Sequence, residues 1–175
     1  IVIERAITLR RARVAPDKLL DEVIAITRTS LPSTDVINKL GNSCALGNVL
    51  AAGVRSVVAE PRITEDTLRL VFENAGRVMV HRLERYLNTL GTVATASPLL
   101  GLFGTVVGMI EIFGSQSPTG GSNPAQLAHG ISIALYNTAF GLMIAIPALM
   151  FYRYFRAKVD GLVVEMEQQA IKLVD

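Results

Sequence analysis

The chain of 175 residues has no tryptophan, one cysteine and, between Arg85 and Arg153, a single Asp, Glu, Lys or Arg, which is Glu111. Each shortage excludes something. The lone Cys44 rules out an internal disulfide framework and is compatible with a reducing compartment. Neither the cysteine nor the two histidines fall at metal-ligand spacing. There is no nucleophile–base pair, so no enzyme and no cofactor are expected. The segment Gly101-Leu-Phe-Gly-Thr-Val-Val-Gly108 looks superficially like a phosphate-binding loop, but it lacks the lysine and the preceding strand that such a loop needs. A net charge of +2, with basic residues in short groups beside apolar runs, is too slight for a nucleic-acid partner.

The shortage of charge is itself the main positive signal. A bilayer hydrocarbon core about 30 Å thick needs roughly 20 apolar residues per helical crossing. Two such runs flank the turn-rich linker from Gly114 to Pro124, and half of the chain's residues are apolar. The sequence predicts an all-α membrane protein whose long transmembrane helices extend into a cytoplasmic helical bundle. The two crossings cover residues 87–113 and 127–155, joined by a linker over 114–126. Arg82 and Arg85 flank one end, Arg153, Arg156 and Lys158 the other, and the linker carries no charge. The positive-inside rule then places the linker on the periplasmic side and both arms in the cytoplasm.

Outside the hairpin, residues 1–13 read as the end of a first crossing followed by a basic stretch with Arg5, Arg10, Arg11 and Arg13; the start at Ile1-Val2-Ile3 suggests an upstream segment. It is not a signal peptide. Residues 14–86 read as a cytoplasmic helical region. Within it, Pro16 interrupts the first helix, and Asp17 to Thr29 is amphipathic through Leu19, Leu20, Val23, Ile24 and Ile26. Asn38 to Val58 reads as one helix rich in small residues, too polar to be another crossing. From Thr64 the apolar period Leu68, Val71, Phe72, Ala75, Met79, Leu83, Leu87 runs without a breaker into the membrane, predicting one long helix. Residues 156–175 form a cytoplasmic helical tail.

Small residues recur every three or four positions in both crossings: Ala94, Ser97, Gly101, Gly104, Thr105 and Gly108, then Gly130, Ala134, Thr138, Gly141, Ala145 and Ala148. Such faces allow close helix approach in lipid, and Gly101, Gly104, Gly108, Ala134 and Gly141 are expected packing positions. Thr105 and Thr138 place hydroxyls at mid-membrane depth, where each could either bond its own helix carbonyl or face a polar interior. Asn137 favours the shared polar interior, because its amide is hard to satisfy within one helix. Glu111 and His129 lie near the periplasmic ends, where an interfacial position is their default and a pore mouth the functional alternative. Pro98 and Pro147 should bend or loosen their helices.

The stretches Ser97-Pro-Leu-Leu-Gly-Leu-Phe-Gly-Thr-Val-Val-Gly-Met109 and Gly130-Ile-Ser-Ile-Ala-Leu-Tyr-Asn-Thr-Ala-Phe-Gly-Leu-Met-Ile-Ala-Ile-Pro147 resemble the two signature crossings of the MotA/TolQ/ExbB proton-channel family, the overall arrangement being most similar to ExbB. The resemblance implies a three-crossing subunit of the bacterial inner membrane, a homopentamer around an ExbD-like single-crossing partner, that couples proton entry to motion passed to TonB. It implies that Thr105 and Thr138 are pore-facing threonines around an Asp supplied by the partner; Asn137 and Glu111 are the further candidate polar groups of the proton path that the residues themselves offer. One departure stands out: Ile133 occupies a position where well-known relatives carry Glu, and Asn137 one where they carry Thr or a small residue. A TolQ-like energiser of the Tol system and a non-conducting membrane scaffold are the alternatives.

Overall fold

The structure is a computed structural model and describes residues 1–16, 18–29, 32–114 and 124–174. The linker expected at 114–126 lies mostly outside them. Among the described residues there are helices and no strands: α1 (Val2–Thr8), α2 (Arg11–Val14), α3 (Leu19–Thr29), α4 (Thr34–Ser43), α5 (Ala45–Ala59), α6 (Glu65–Leu83), α7 (Leu87–Gly114) and α8 (Pro124–Val174). The chain is an all-α membrane protein. It divides into two compact units, one of Tyr86–Tyr154 and one of Ile1–Arg85 with the α8 residues from Phe155 onward.

The second of these is a helical bundle. Its core includes Leu9, Val23, Leu46, Val49, Leu50, Val54, Phe72 and Met79. The C-terminal half of α8 contributes Phe155, Val159, Leu162, Met166 and Ala170, spaced by three and four as one buried stripe of a helix must be. Gly53 is required where α5 meets α6, because a Cβ there would run into the Phe72 ring. Thr64 caps α6 by accepting from the Thr67 backbone N–H at 3.4 Å, and Glu65 and Asp66 complement the dipole of the first turn. An exposed ion pair between Arg11 and Glu165, 2.5 Å apart, links α2 to α8.

Two expectations fail here, for local reasons. The helix read over Asn38 to Val58 is two helices, broken at Cys44, whose backbone is fully extended (φ −161°, ψ 177°). Cys44 is the N-cap of α5, its Sγ accepting from the Gly47 N–H at 3.2 Å. A Cβ at Gly47 would collide with the Leu40 carbonyl oxygen at the end of α4, so the glycine permits the corner. The long helix expected from Thr64 into the membrane is also two helices. It stops after Leu83, and Tyr86 has φ 66°, a left-handed conformation that costs a tyrosine roughly 1–3 kcal/mol. Likewise Ile1 to Arg13 holds two short helices, α1 and α2, separated at Leu9 and Arg10.

The unit Tyr86–Tyr154 is built from α7 and the first part of α8, the two helices long and apolar enough to cross a membrane. Its large side chains face outward: Leu100, Phe103, Ile110, Met143 and Met150 are each more than 60% exposed. The buried positions are mostly small, among them Ala94, Gly101, Ala134, Gly141, Ala145 and Ala148. A water-soluble fold inverts that pattern, whereas a lipid-facing hairpin packs through small residues. Both helices continue through their prolines, Pro98 and Pro147.

Candidate functional site

The seam between α7 and α8 brings the motif residues together. Building a Cβ on each glycine measures how closely the two backbones approach. At Gly141 it would lie 2.6 Å from the Ser97 carbonyl oxygen and 3.1 Å from Gly101 Cα; at Gly101 it would lie 2.9 Å from the Asn137 carbonyl oxygen and 3.0 Å from Thr138 Cα. Further along, Gly104 faces Asn137 at 2.9 Å, Gly108 faces Ala134 at 3.0 Å and Gly130 faces Ile112 at 2.6 Å. At the opposite end Gly91 lies under the Tyr152 ring at 3.3 Å. All are at or below the normal contact limit, so at Gly101 and Gly141 the helices touch backbone to backbone, and at the other glycines a side chain of the facing helix fills the space. Alternating glycines on the two helices are what permit it. The Ile112 and Tyr152 contacts escape a reading based on small residues, because there a large side chain fills the space left by one facing glycine.

Within this seam the two threonines behave differently. The Thr138 hydroxyl, half-buried, donates across the hairpin to the Gly101 carbonyl at 3.2 Å. Thr105, also half-buried, donates back to the Leu102 carbonyl of its own helix at 2.7 Å. A hydroxyl has one proton and two acceptor lone pairs. With both protons committed to carbonyls, these threonines present acceptors to whatever approaches them. Asn137 is exposed beside Gly104, and its amide adds two donors and an acceptor at the level of Thr138. This level of the hairpin is therefore polar without being charged.

Glu111 is exposed near the end of α7, seven residues beyond Gly104, and His129 is exposed near the start of α8. Neither lies at the level of Thr138. Ile133 is 52% exposed. Between the hairpin's ends the described residues thus offer amide, hydroxyl and phenol groups but no carboxylate, amine, guanidinium or imidazole, apart from Glu111 and His129 near one end. Among the described residues no cluster of His, Cys, Asp or Glu could hold a metal ion.

The pattern of the MotA/TolQ/ExbB proton channel family matches residues 43–168, well over half of the chain. A biopolymer transport protein of Synechocystis sp. described as ExbB-like 3 is 31% identical over 159 residues, covering 90% of this chain and 74% of that protein. The biopolymer transport protein exbB1 of Vibrio cholerae is 47% identical over 70 residues, 39% of this chain and 31% of that protein. The Tol-Pal system protein TolQ of Pseudomonas aeruginosa is 37% identical over 108 residues, 59% of this chain and 47% of that protein. In the latter two the match spans less than half the relative's length. Since the family match contains the whole α7–α8 seam and most of the helical bundle, the chain belongs to the MotA/TolQ/ExbB proton channel family.

Proposed function

We propose that this chain is an ExbB-type subunit of the bacterial inner membrane, the conducting half of an energiser driven by the proton motive force that powers TonB-dependent transport across the outer membrane. The observation that carries the reading is the placement of Thr138 and Asn137 at one level of a hairpin in which Glu111 is the single Asp, Glu, Lys or Arg between Arg85 and Arg153, with the Thr138 proton already spent on the Gly101 carbonyl. An acceptor-lined polar level suits a carrier that arrives as a donor, such as a protonated carboxylic acid. This chain supplies no such acid there, so another chain must. In this reading several copies, five in the homopentamer, enclose a single-crossing ExbD-like helix whose Asp takes and releases protons beside Thr105, Thr138 and Asn137. Glu111 stands toward the periplasmic mouth, both arms lie in the cytoplasm, and TonB receives the motion.

Thr138→Val keeps the shape of the side chain and removes the hydroxyl. Proton-dependent uptake through a TonB system should fall in Thr105→Val and Thr138→Val and be lost in the double variant. Unchanged uptake in all three removes the pore assignment.

The TolQ relatives, at 37% and 40% identity, favour a second reading with the same channel and a different client, the Tol system. Copurification decides between them: a TonB-like companion supports the first reading, a Tol-like one the second. A non-conducting scaffold, the remaining reading, would retain its assembly in every threonine variant and carry no proton flux.

A further inference from the structure

The hairpin leaves the Asn137 amide unanswered. The side chain is exposed, and among the described residues it has no hydrogen-bond partner. One and two turns away on the same face of α8, Ile133, Phe140 and Ile144 are each more than half exposed. An exterior of that kind meets lipid or protein, and lipid offers an amide no partner. The seam fixes the side on which Asn137 stands. Gly101 of α7 and Ala134 of α8 both lie in it, and the residues three further on, Gly104 and Asn137, face each other, the built Cβ of the glycine lying 2.9 Å from Asn137 Cβ. Successive helix residues turn by about 100°. Positions three and four beyond a seam residue therefore fall on opposite sides of it, and the positions four beyond are Thr105 and Thr138. At one level, then, the hairpin carries an amide on one side and two hydroxyls on the other. The Thr105 and Thr138 protons are given to the Leu102 and Gly101 carbonyls. One side thus offers two N–H donors, the other hydroxyl oxygens that can only accept.

We propose that the Asn137 side of the hairpin is an interface with a second copy of this chain, in which the Asn137 amide donates to the threonine hydroxyl oxygens of its neighbour. The inference rests on the ring of copies proposed above. A ring with an odd number of subunits closes only through heterologous contacts, one face of each copy against the other face of the next. The two faces here match in hydrogen bonding and stand at the same level, so neighbouring copies meet without a shift along the membrane normal. An isologous pair would set amide against amide and leave the threonine acceptors unused. A hydroxyl oxygen accepts twice, so each threonine keeps an acceptor for the proton carrier. Asn137 then fixes the register between copies, the use made of a single Asn in an otherwise apolar coiled-coil seam.

Cross-linking in membranes tests the contact without reading conduction. In a Cys44→Ser background, full-length copies carrying Asn137→Cys are coexpressed with copies carrying Thr105→Cys, the two distinguished by tags of different size, and treated with a short thiol-bridging reagent. Mixed dimers should form, and dimers of either variant with itself should not. Asn137→Cys copies that cross-link to one another, or assembled copies that give no mixed dimer, overturn the proposal. Where the cysteine variants do not assemble, dissociation of the oligomer in detergent carries the same test. Asn137→Leu should raise the dissociation constant about threefold, the weight of an average interhelical hydrogen bond in a membrane, and should have no effect in the Thr105→Val/Thr138→Val background. No effect in the parent chain, or an equal effect in both backgrounds, overturns the contact. A chain that passes either test yet conducts no protons refutes the channel reading and leaves this interface standing.

Discussion

Replacing Gly141 by alanine tests the close seam with one methyl group. The new Cβ would sit 2.6 Å from the Ser97 carbonyl oxygen, whereas a carbon–oxygen contact normally needs at least about 3.3 Å. The helices must separate locally by roughly 0.7 Å, the difference from that contact distance. Such a gap forfeits about a quarter to a half of each dispersion contact along the seam. It also carries the Thr138–Gly101 bond, now 3.2 Å, beyond hydrogen-bonding reach, a loss of about 0.6 kcal/mol for an average interhelical bond in a membrane. Overpacking of this kind costs about 1–3 kcal/mol, against up to about 1 kcal/mol gained from the better helix propensity of alanine. The net expectation is a hairpin weaker by about 1–2 kcal/mol. Gly161, also in α8, has no atom within 4 Å of its built Cβ, so Gly161→Ala should be neutral or slightly stabilising. The assay is reversible unfolding in mixed micelles, followed by energy transfer between labels at the exposed positions Leu99 and Ile144 in a Cys44→Ser background. If Gly141→Ala and Gly161→Ala prove equally stable, the backbone-to-backbone seam is refuted.

Gly53→Ala should destabilise the helical bundle by about 1–3 kcal/mol, because its methyl group meets the Phe72 ring; chemical denaturation read by circular dichroism checks it, and Phe72→Leu in the same chain should recover part of the loss. Leu50→Ala, at a position with no exposed surface, should cost about 2–5 kcal/mol in the same measurement. The Arg5 guanidinium holds the Glu4 carboxyl below the usual range. That contribution is present above the ordinary carboxylate pKa and lost as pH falls through the lowered one. Glu4→Gln should therefore make stability fall less steeply in acid, an effect kept small by the 47% exposure of the Glu4 side chain.

The hairpin was legible in the sequence because lipid imposes a condition on composition: few charges can occur over two spans, and close packing calls for small residues at spacings of three and four. The site was legible only in part. The position of Thr138 follows from the motif, but whether its proton serves its own helix or its neighbour depends on how near Gly101 comes, which is a matter of tertiary distance. The breaks at Cys44 and Tyr86 left no mark, since neither is a glycine or proline. The first arises where α4 and α5 turn a corner that Gly47 allows. Arg5 itself read as one of several basic residues near a membrane boundary, and only its burial sets it apart.

The polar level at Thr105, Thr138 and Asn137 is proposed to carry protons once another chain supplies the acid. Proton flux into vesicles tests it most directly, comparing this protein reconstituted alone, with an ExbD-like single-crossing partner, and with that partner in the Thr105→Val/Thr138→Val background. Little flux is expected from the protein alone, clear flux with the partner and loss of that flux in the double variant. Flux that is independent of the partner, or that survives loss of both hydroxyls, would contradict it.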